Sequence, residues 1–279
     1  MNLREPCLPR GWYPRDTGKI EEFLEPFLVR DKIPAKARAV VAPHAGWYYS
    51  GLPAALAVSA LDREAETVAV IGGHLAADMP VLIAGEDGVQ TPFGVMNMDS
   101  ELRDAFKKGL PADASRPDRY PDNTVEVLLP MVRYFFPRAQ LLWLRFPADL
   151  SSLEAGKLLA KCAASLKRRV AVIGSTDLTH YGDNYGFCPR GKGKSALDWV
   201  KNVNDAAFIA AVVDGDPSRA LKHAAENSSA CSAGAVLGAL AAAGGRASAR
   251  LLDYRTSADV HSDGEIPDSF VGYAAIALV

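Results

Sequence analysis

The chain of 279 residues has only four cysteines, Cys7, Cys162, Cys188 and Cys231, and no two of them form a CxxC pair. That spacing excludes a zinc ribbon and offers no disulfide framework, so each thiol is judged by its own surroundings. No apolar run reaches the roughly 20 residues that a membrane span needs, and the opening MNLREPCLPRGWYPRD has no signal-peptide core. A cytoplasmic protein without membrane partners is expected. A net charge of −2 gives no electrostatic case for nucleic acid or an anionic surface. HExxH, GxSxG and GxGxxG are all absent, which removes the markers of zincins, α/β-hydrolases and dinucleotide binders. The stretch from Gly186 to Lys192 imitates the start of a phosphate-binding loop, but Gly193 stands in the Ser/Thr place and no strand signal precedes it.

What is present is a globular composition, 49% hydrophobic and 23% charged, in a chain long enough to bury a large core. Short apolar runs bounded by breakers predict strands at Ala37–Ala42, Thr67–Ile71, Met79–Ala84, Gln140–Phe146, Arg169–Ile173, Ala249–Tyr254 and Phe270–Leu278. Several are apolar throughout, so both sheet faces should be covered. Helical patterns lie between them: Lys19–Leu28, Ala54–Leu61, Ser100–Lys108, Thr124–Phe136, Ser152–Ser165, Ala196–Val212, Pro217–Ala225 and Cys231–Ala243. This alternation predicts a layered α/β protein with a largely parallel central sheet and helices on both faces. No linker, repeat or composition shift divides it, so one domain over residues 1–279 is expected. The long connections Gly85–Asp99, Gly109–Asn123 and Tyr181–Lys194 are candidates for functional loops.

Three apolar strands run into a breaker and then a histidine: ARAVVAPHAG at His44, ETVAVIGGH at His74 and RRVAVIGSTDLTH at His180. Open α/β sheets bind ligands at the carboxyl ends of their strands, so these imidazoles could converge on one cleft. A single histidine there is more often a capping or solvent-facing residue; three of five placed alike weaken that reading. Cys231 opens the Ala-rich stretch CSAGAVLGALAAA after Asn227, Ser228 and Ser229, all capping residue types. A thiol there is a candidate thiolate ligand or nucleophile, with a buried inert cysteine as the alternative. Asp177 stands near enough to His180 to orient an imidazole, reach a metal, or simply cap the turn. Two histidines and one anionic ligand with open positions is an arrangement used by non-haem iron oxygenases. Trp47, Tyr48 and Tyr49 are candidate stacking residues, although aromatics beside a turn are more often packing.

At these residues the chain resembles the Memo proteins, whose bacterial and archaeal members are called AmmeMemoRadiSam system protein B. The resemblance spans nearly the whole sequence: RGWYP, APHAGWYYSG, VIGGH, TPFG, NTVEVLLP, GSTDLTHYG, ACSAG, LLDYRTSAD and FVGYAAIAL. It implies an α/β domain similar to class III extradiol ring-cleavage dioxygenases. It further implies one divalent metal on His44, His74 and Cys231, Fe(II) first and copper or zinc as alternatives. Asp177 and His180 would line the same cleft, His180 as acid/base, and Trp47, Tyr49, Asn123 and Glu126 would meet the substrate. The implied partners are an unidentified small-molecule substrate and other AmmeMemoRadiSam system proteins. Three departures stand out: Gly73-His74-Leu75 is about one residue shorter than the family's usual segment, Asn123 replaces a histidine, and Ser232 replaces a glycine. A metal-dependent redox enzyme is therefore weighed against a non-catalytic module that recognises a peptide or small anion.

Overall fold

A computed structural model describes residues 1–28, 36–244, 249–261 and 265–279. All seven predicted strands form, within a few residues of the expected ends. Eight of the sheet's strands follow the order Tyr181-bearing edge, Phe270–Leu278, Ala39–Ala42, Val170–Ser175, Thr67–Leu75, Gln140–Pro147, Val81–Ile83 and Ser115–Pro117, and Ala249–Thr256 also pairs with Phe270–Leu278. The central four, from Ala39–Ala42 to Gln140–Pro147, are mutually parallel. The strands flanking this block, Phe270–Leu278 and Val81–Ile83, join it antiparallel.

Successive side chains of a strand face opposite sides, and here both sides are apolar. Val40, Ala42, Val68, Val70 and Trp143 enter one core, while Ala39, Val41, Ala69, Ile71 and Phe146 enter the other. Helix Trp47–Ala60 contributes to the first core; helices Ser151–Ser165 and Ala233–Ala242 contribute to the second. The small residues of CSAGAVLGALAAA serve close packing. A Cβ added at Gly156 would lie 2.3 Å from the Gly238 carbonyl oxygen, so the two helices touch backbone to backbone there. Among the described residues, no helix is long and apolar enough to cross a membrane.

Local corrections to the sequence reading have physical causes. The helix expected from Ala54 begins seven residues earlier at Trp47, because burial of Trp47 and packing on Phe23 override weak aromatic helix propensity. Gly85–Asp99 is a hairpin, Gly88–Thr91 with Gly94–Asn97, whose outer partner is the N-terminal strand Leu3–Arg4. The Thr124–Phe136 pattern splits into Asn123–Glu126 and Leu129–Phe135, with Pro130 near the start of the second. Ala196–Val212 is interrupted by a π-helical turn, Val200–Asn204. Asn227 and Ser228 end the preceding helix rather than cap the next one, and Cys231 lies in a turn ahead of helix Ala233–Ala242.

Candidate metal centre

The parallel register brings strand ends together. Ala42 pairs with Ser175, and the Thr176 amide donates to the Ala42 carbonyl at 3.0 Å. His44 and Asp177, each two residues past those ends, therefore meet: the His44 amide donates to Asp177 Oδ1 at 2.7 Å. The His44 ring is 1% exposed. Its Nδ1 bonds Ser175 Oγ at 2.9 Å, which leaves Nε2 aimed at Cys231 Sγ, 3.2 Å away.

His74 arrives from the neighbouring strand through a bulge between Gly72 and Leu75, with a left-handed φ of 56°. A non-glycine residue in that region is strained by roughly 1–2 kcal/mol and persists only where its surroundings fix it. Here the Gly73 amide donates to Thr124 Oγ1 at 3.3 Å and the His74 amide to Ser232 Oγ at 3.3 Å. The shortened Gly73-His74-Leu75 segment is thus accommodated by a backbone twist. Ser232 supplies one of the two hydroxyls that hold it. The bulge is tight: a Cβ at Gly73 would lie 2.3 Å from that of Ser232.

Cys231 is pinned by its backbone, whose amide donates to the Asp177 carbonyl at 3.1 Å, while Sγ accepts from the Asp177 amide at 3.3 Å. The ligand atoms of His44, His74 and Cys231 all lie within 4.8 Å of one another. Donors about 2.0–2.3 Å from one ion stand within roughly 4.5 Å of each other, so the trio fits a single metal after a small inward movement. Its electrostatics fit as well. Burial opposes ionisation of the Cys231 thiol, but the two imidazoles hold it well below the usual thiol range. Burial likewise disfavours charge on His44 and His74, yet Asp177 and Cys231 raise the first, and Asp122 and Cys231 push the second up to about 10. In the cluster the thiol is drawn towards its charged form by the imidazoles, and the imidazoles towards theirs by the thiol. A divalent cation can displace the imidazole protons, which is the charge pattern of a metal site.

Above the cluster opens a cleft of about 720 Å³, whose wall includes Arg10, Tyr49, Asn123, His180, Tyr185 and Tyr273. His44, His74 and Asp177 form part of its lining, whereas Cys231 lies behind the imidazoles. Asn123 donates through Nδ2 to the His44 carbonyl at 3.0 Å. His180 packs edge-on against Tyr185 with ring centroids 5.0 Å apart. The expected hydrogen bond from the His180 ring to Asp177 is not formed. Asp177 is engaged by His44, and its interaction with His180 is through charge alone. Two other expected substrate contacts lie outside the cleft wall. Trp47 is buried, donating its indole N–H to the Val127 carbonyl at 2.9 Å. Glu126 is buried and anchors the N-terminal segment through the Cys7 amide at 2.8 Å and the Tyr13 hydroxyl at 2.9 Å.

The sequence reading passed over Asp122 and Arg145. Asp122 Oδ2 lies 3.1 Å from His74 Nδ1 and 3.2 Å from the Arg145 guanidinium. Burial opposes its charge, but His74, Thr124 and Arg145 hold its carboxyl down at about 2. Arg145 had a visible signal, being the one charge in the apolar run QLLWLRFP. Asp205 was also missed. It follows the π-helical turn, is buried, and accepts from the Thr179 amide at 3.1 Å and the Tyr254 hydroxyl at 2.8 Å, fixing the residue before His180.

Burial raises the Asp205 carboxyl from 3.8 to about 6 against the pull of those hydrogen bonds. The folded state therefore holds this proton more tightly than the unfolded chain. Its stabilising contribution is complete below pH 3.8 and is lost as pH rises through about 6. A two-unit difference corresponds to about 3 kcal/mol. Asp205→Asn should remove this pH-dependent part, so the gap between parent and variant unfolding free energies should change between pH 4 and pH 7. Parallel urea-unfolding profiles across that range would show that Asp205 does not titrate this way.

Among known proteins, the family described as Memo-like protein matches residues 4–277. MEMO1 family proteins of Pyrococcus abyssi and Methanosarcina mazei are each 30% identical to this chain, with 99% of both chains aligned for the first and 100% for the second. A crystal structure of an uncharacterized protein from Escherichia coli K12 superposes with a TM-score of 0.52 at 12% identity, covering 88% of this chain and 100% of that one. That likeness concerns the fold, and it agrees with the layered α/β arrangement.

Proposed function

The chain belongs to the Memo-like protein family, and we propose that it is a non-haem Fe(II)-dependent redox enzyme acting on a small molecule in the cleft above His44 and His74. The observation that carries this reading is the His44–His74–Cys231 cluster at the foot of a cleft large enough for a substrate. Three protein donors leave coordination positions free, and imidazole with thiolate suits iron, copper or zinc by softness. Iron held there would supply Lewis acidity and one-electron chemistry towards O₂.

The chain's own residues would do the rest. Ser175 holds Nδ1 of His44, and Asp122 holds Nδ1 of His74, so each ring keeps Nε2 for the cluster. His180, in the wall and free of the cluster, is placed to take or give a proton at a substrate hydroxyl. Tyr49 and Tyr185 line the cleft and would flank a flat substrate. Burial raises the Asp177 carboxyl, yet its charge beside the His44 ring favours the protonated form of that imidazole.

A second reading is favoured by Asn123. Where the family has an imidazole, this chain has an amide tied to the His44 carbonyl, which leaves the cleft with fewer proton-transfer groups. A binding module retaining a peptide or small anion would tolerate that loss better than an enzyme. Turnover against stoichiometric binding separates the two.

Protein purified without oxygen should carry about one equivalent of transition metal per chain, read by elemental analysis. Cys231→Ser should retain it more weakly or shift its preference towards harder ions, because a hydroxyl is a far poorer ligand than a thiolate. Cys7, Cys162 and Cys188, which lie outside the cluster, should be replaceable without this effect. Unchanged iron affinity in Cys231→Ser would remove the thiolate from the ligand set and point to Asp177.

A further inference from the structure

Arg145 is 5% exposed, and its guanidinium meets three groups around the His74 bulge. Nε donates to the Gly73 carbonyl at 2.9 Å, one terminal nitrogen pairs with Asp122 at 3.2 Å, and the other with Asp118 at 3.4 Å. Asp118 is itself held by the Trp143 indole at 2.8 Å and by Arg4, whose guanidinium lies 4.4 Å over the Trp143 ring. A buried chain of alternating charge thus runs from the N-terminal strand to the rim of the metal centre. Buried ions in such a chain are costly unless every partner is in place, so the arrangement is stiff. At its inner end Asp122 divides its oxygens. Oδ1 accepts from the Thr124 amide at 2.9 Å and from the Thr124 hydroxyl, while Oδ2 faces His74 Nδ1 at 3.1 Å.

We propose that Asp122, locked by Arg145 and Thr124, is the positioning residue that sets the tautomer of His74, keeping the proton on Nδ1 and the Nε2 lone pair towards Cys231. The same guanidinium holds the Gly73 carbonyl, so one side chain controls both the backbone and the ring of this ligand. Arg145 is specific to the task, because lysine offers one point charge where three separate directions are needed. The inference rests on the metal-centre reading above. It goes further by assigning the control of one ligand to residues outside the ligand set.

Asp122→Asn gives a sharp test. The Oδ2 position serves both His74 Nδ1 and the Arg145 guanidinium, and Oδ1 serves the two Thr124 donors, so an amide in either orientation sets an NH₂ against a donor and breaks the lock. The carboxylate that favours the proton on Nδ1 is lost either way, and Nε2 is no longer kept free for metal. Zinc affinity, measured by chelator competition, should fall about 10-fold to 100-fold. Arg145→Lys should fall in the same direction. In zinc-loaded protein the His74 ¹⁵N pattern should show Nε2 coordinated with Nδ1 protonated in the parent, and lose that signature in Asp122→Asn. Asp99→Asn serves as control, since Asp99 is a buried carboxylate that caps helix Ser100–Gly109 away from the cluster. It should bind zinc like the parent. Parent-like zinc affinity and ¹⁵N pattern in Asp122→Asn would overturn the proposal, as would an equal loss in Asp99→Asn. Absence of zinc binding by the parent would instead overturn the metal-centre reading itself.

Discussion

Replacing His44 or His74 with alanine is expected to abolish metal retention, with very different consequences for the fold. Each supplies one of three protein donors. Where whole structural sites are worth about 10–16 kcal/mol, losing one donor should cost on the order of 10³-fold in affinity. His44 is buried and hydrogen-bonded on both ring nitrogens, so its removal also strands Ser175 Oγ and leaves Cys231 Sγ without its nearest imidazole. Unpaired buried groups cost about 1–3 kcal/mol each, so His44→Ala should lower stability by roughly 3 kcal/mol even without metal. The His74 side chain is 34% exposed at the cleft rim. His74→Ala keeps a Cβ in the left-handed region but removes only a partly exposed ring, and should change metal-free stability by only about 1 kcal/mol. Metal analysis and thermal unfolding of the two variants check both halves. Full metal retention in both would remove these histidines from the ligand set.

His180→Ala is the second large effect, and it is kinetic. The ring lines the cleft but is not one of the clustered donors, so metal content should match the parent. Fe(II)-loaded protein offered catechol-like or thiol-bearing molecules should consume O₂, and His180→Ala should slow this by about 10²-fold to 10⁴-fold, the usual contribution of a positioned acid/base. Asn123→His would restore an imidazole to the wall while keeping a donor for the His44 carbonyl, and turnover should rise. Equal O₂ uptake by parent and His180→Ala would exclude His180 as the proton carrier. If a broad panel gave no uptake, and a peptide or anion stayed bound in the cleft, the binding-module reading would replace the enzyme.

The convergence of His44 and His74 was legible in the chain because it follows from one rule. Apolar runs such as AVVA and TVAVI form parallel strands on either side of Val170–Ser175, and whatever follows them emerges at the same sheet edge. Cys231 was legible only as a candidate, since a thiol near a helix start is common and its partner His44 is 187 residues away in sequence. Its role in the cluster depends on the Asp177 backbone, which no local pattern announces. Trp47 and Glu126 sit in family motifs beside the site and looked like substrate contacts. Tertiary packing turned one into the core and the other onto the N-terminal segment. Asp122 drew no notice in the sequence; one of its oxygens caps helix Asn123–Glu126, and the second belongs to His74.

The sequence by itself determined the strands, the two apolar faces and the end of the sheet where ligands would gather, because those depend on period and on residues near one another. Only the tertiary structure decided which imidazole nitrogen faces the thiol, how a shortened segment holds His74, and that Arg145 reaches across to control it. These are matters of direction at distances of about 3 Å, set by side chains far apart in the chain, and alternation of apolar and polar residues carries no information about direction.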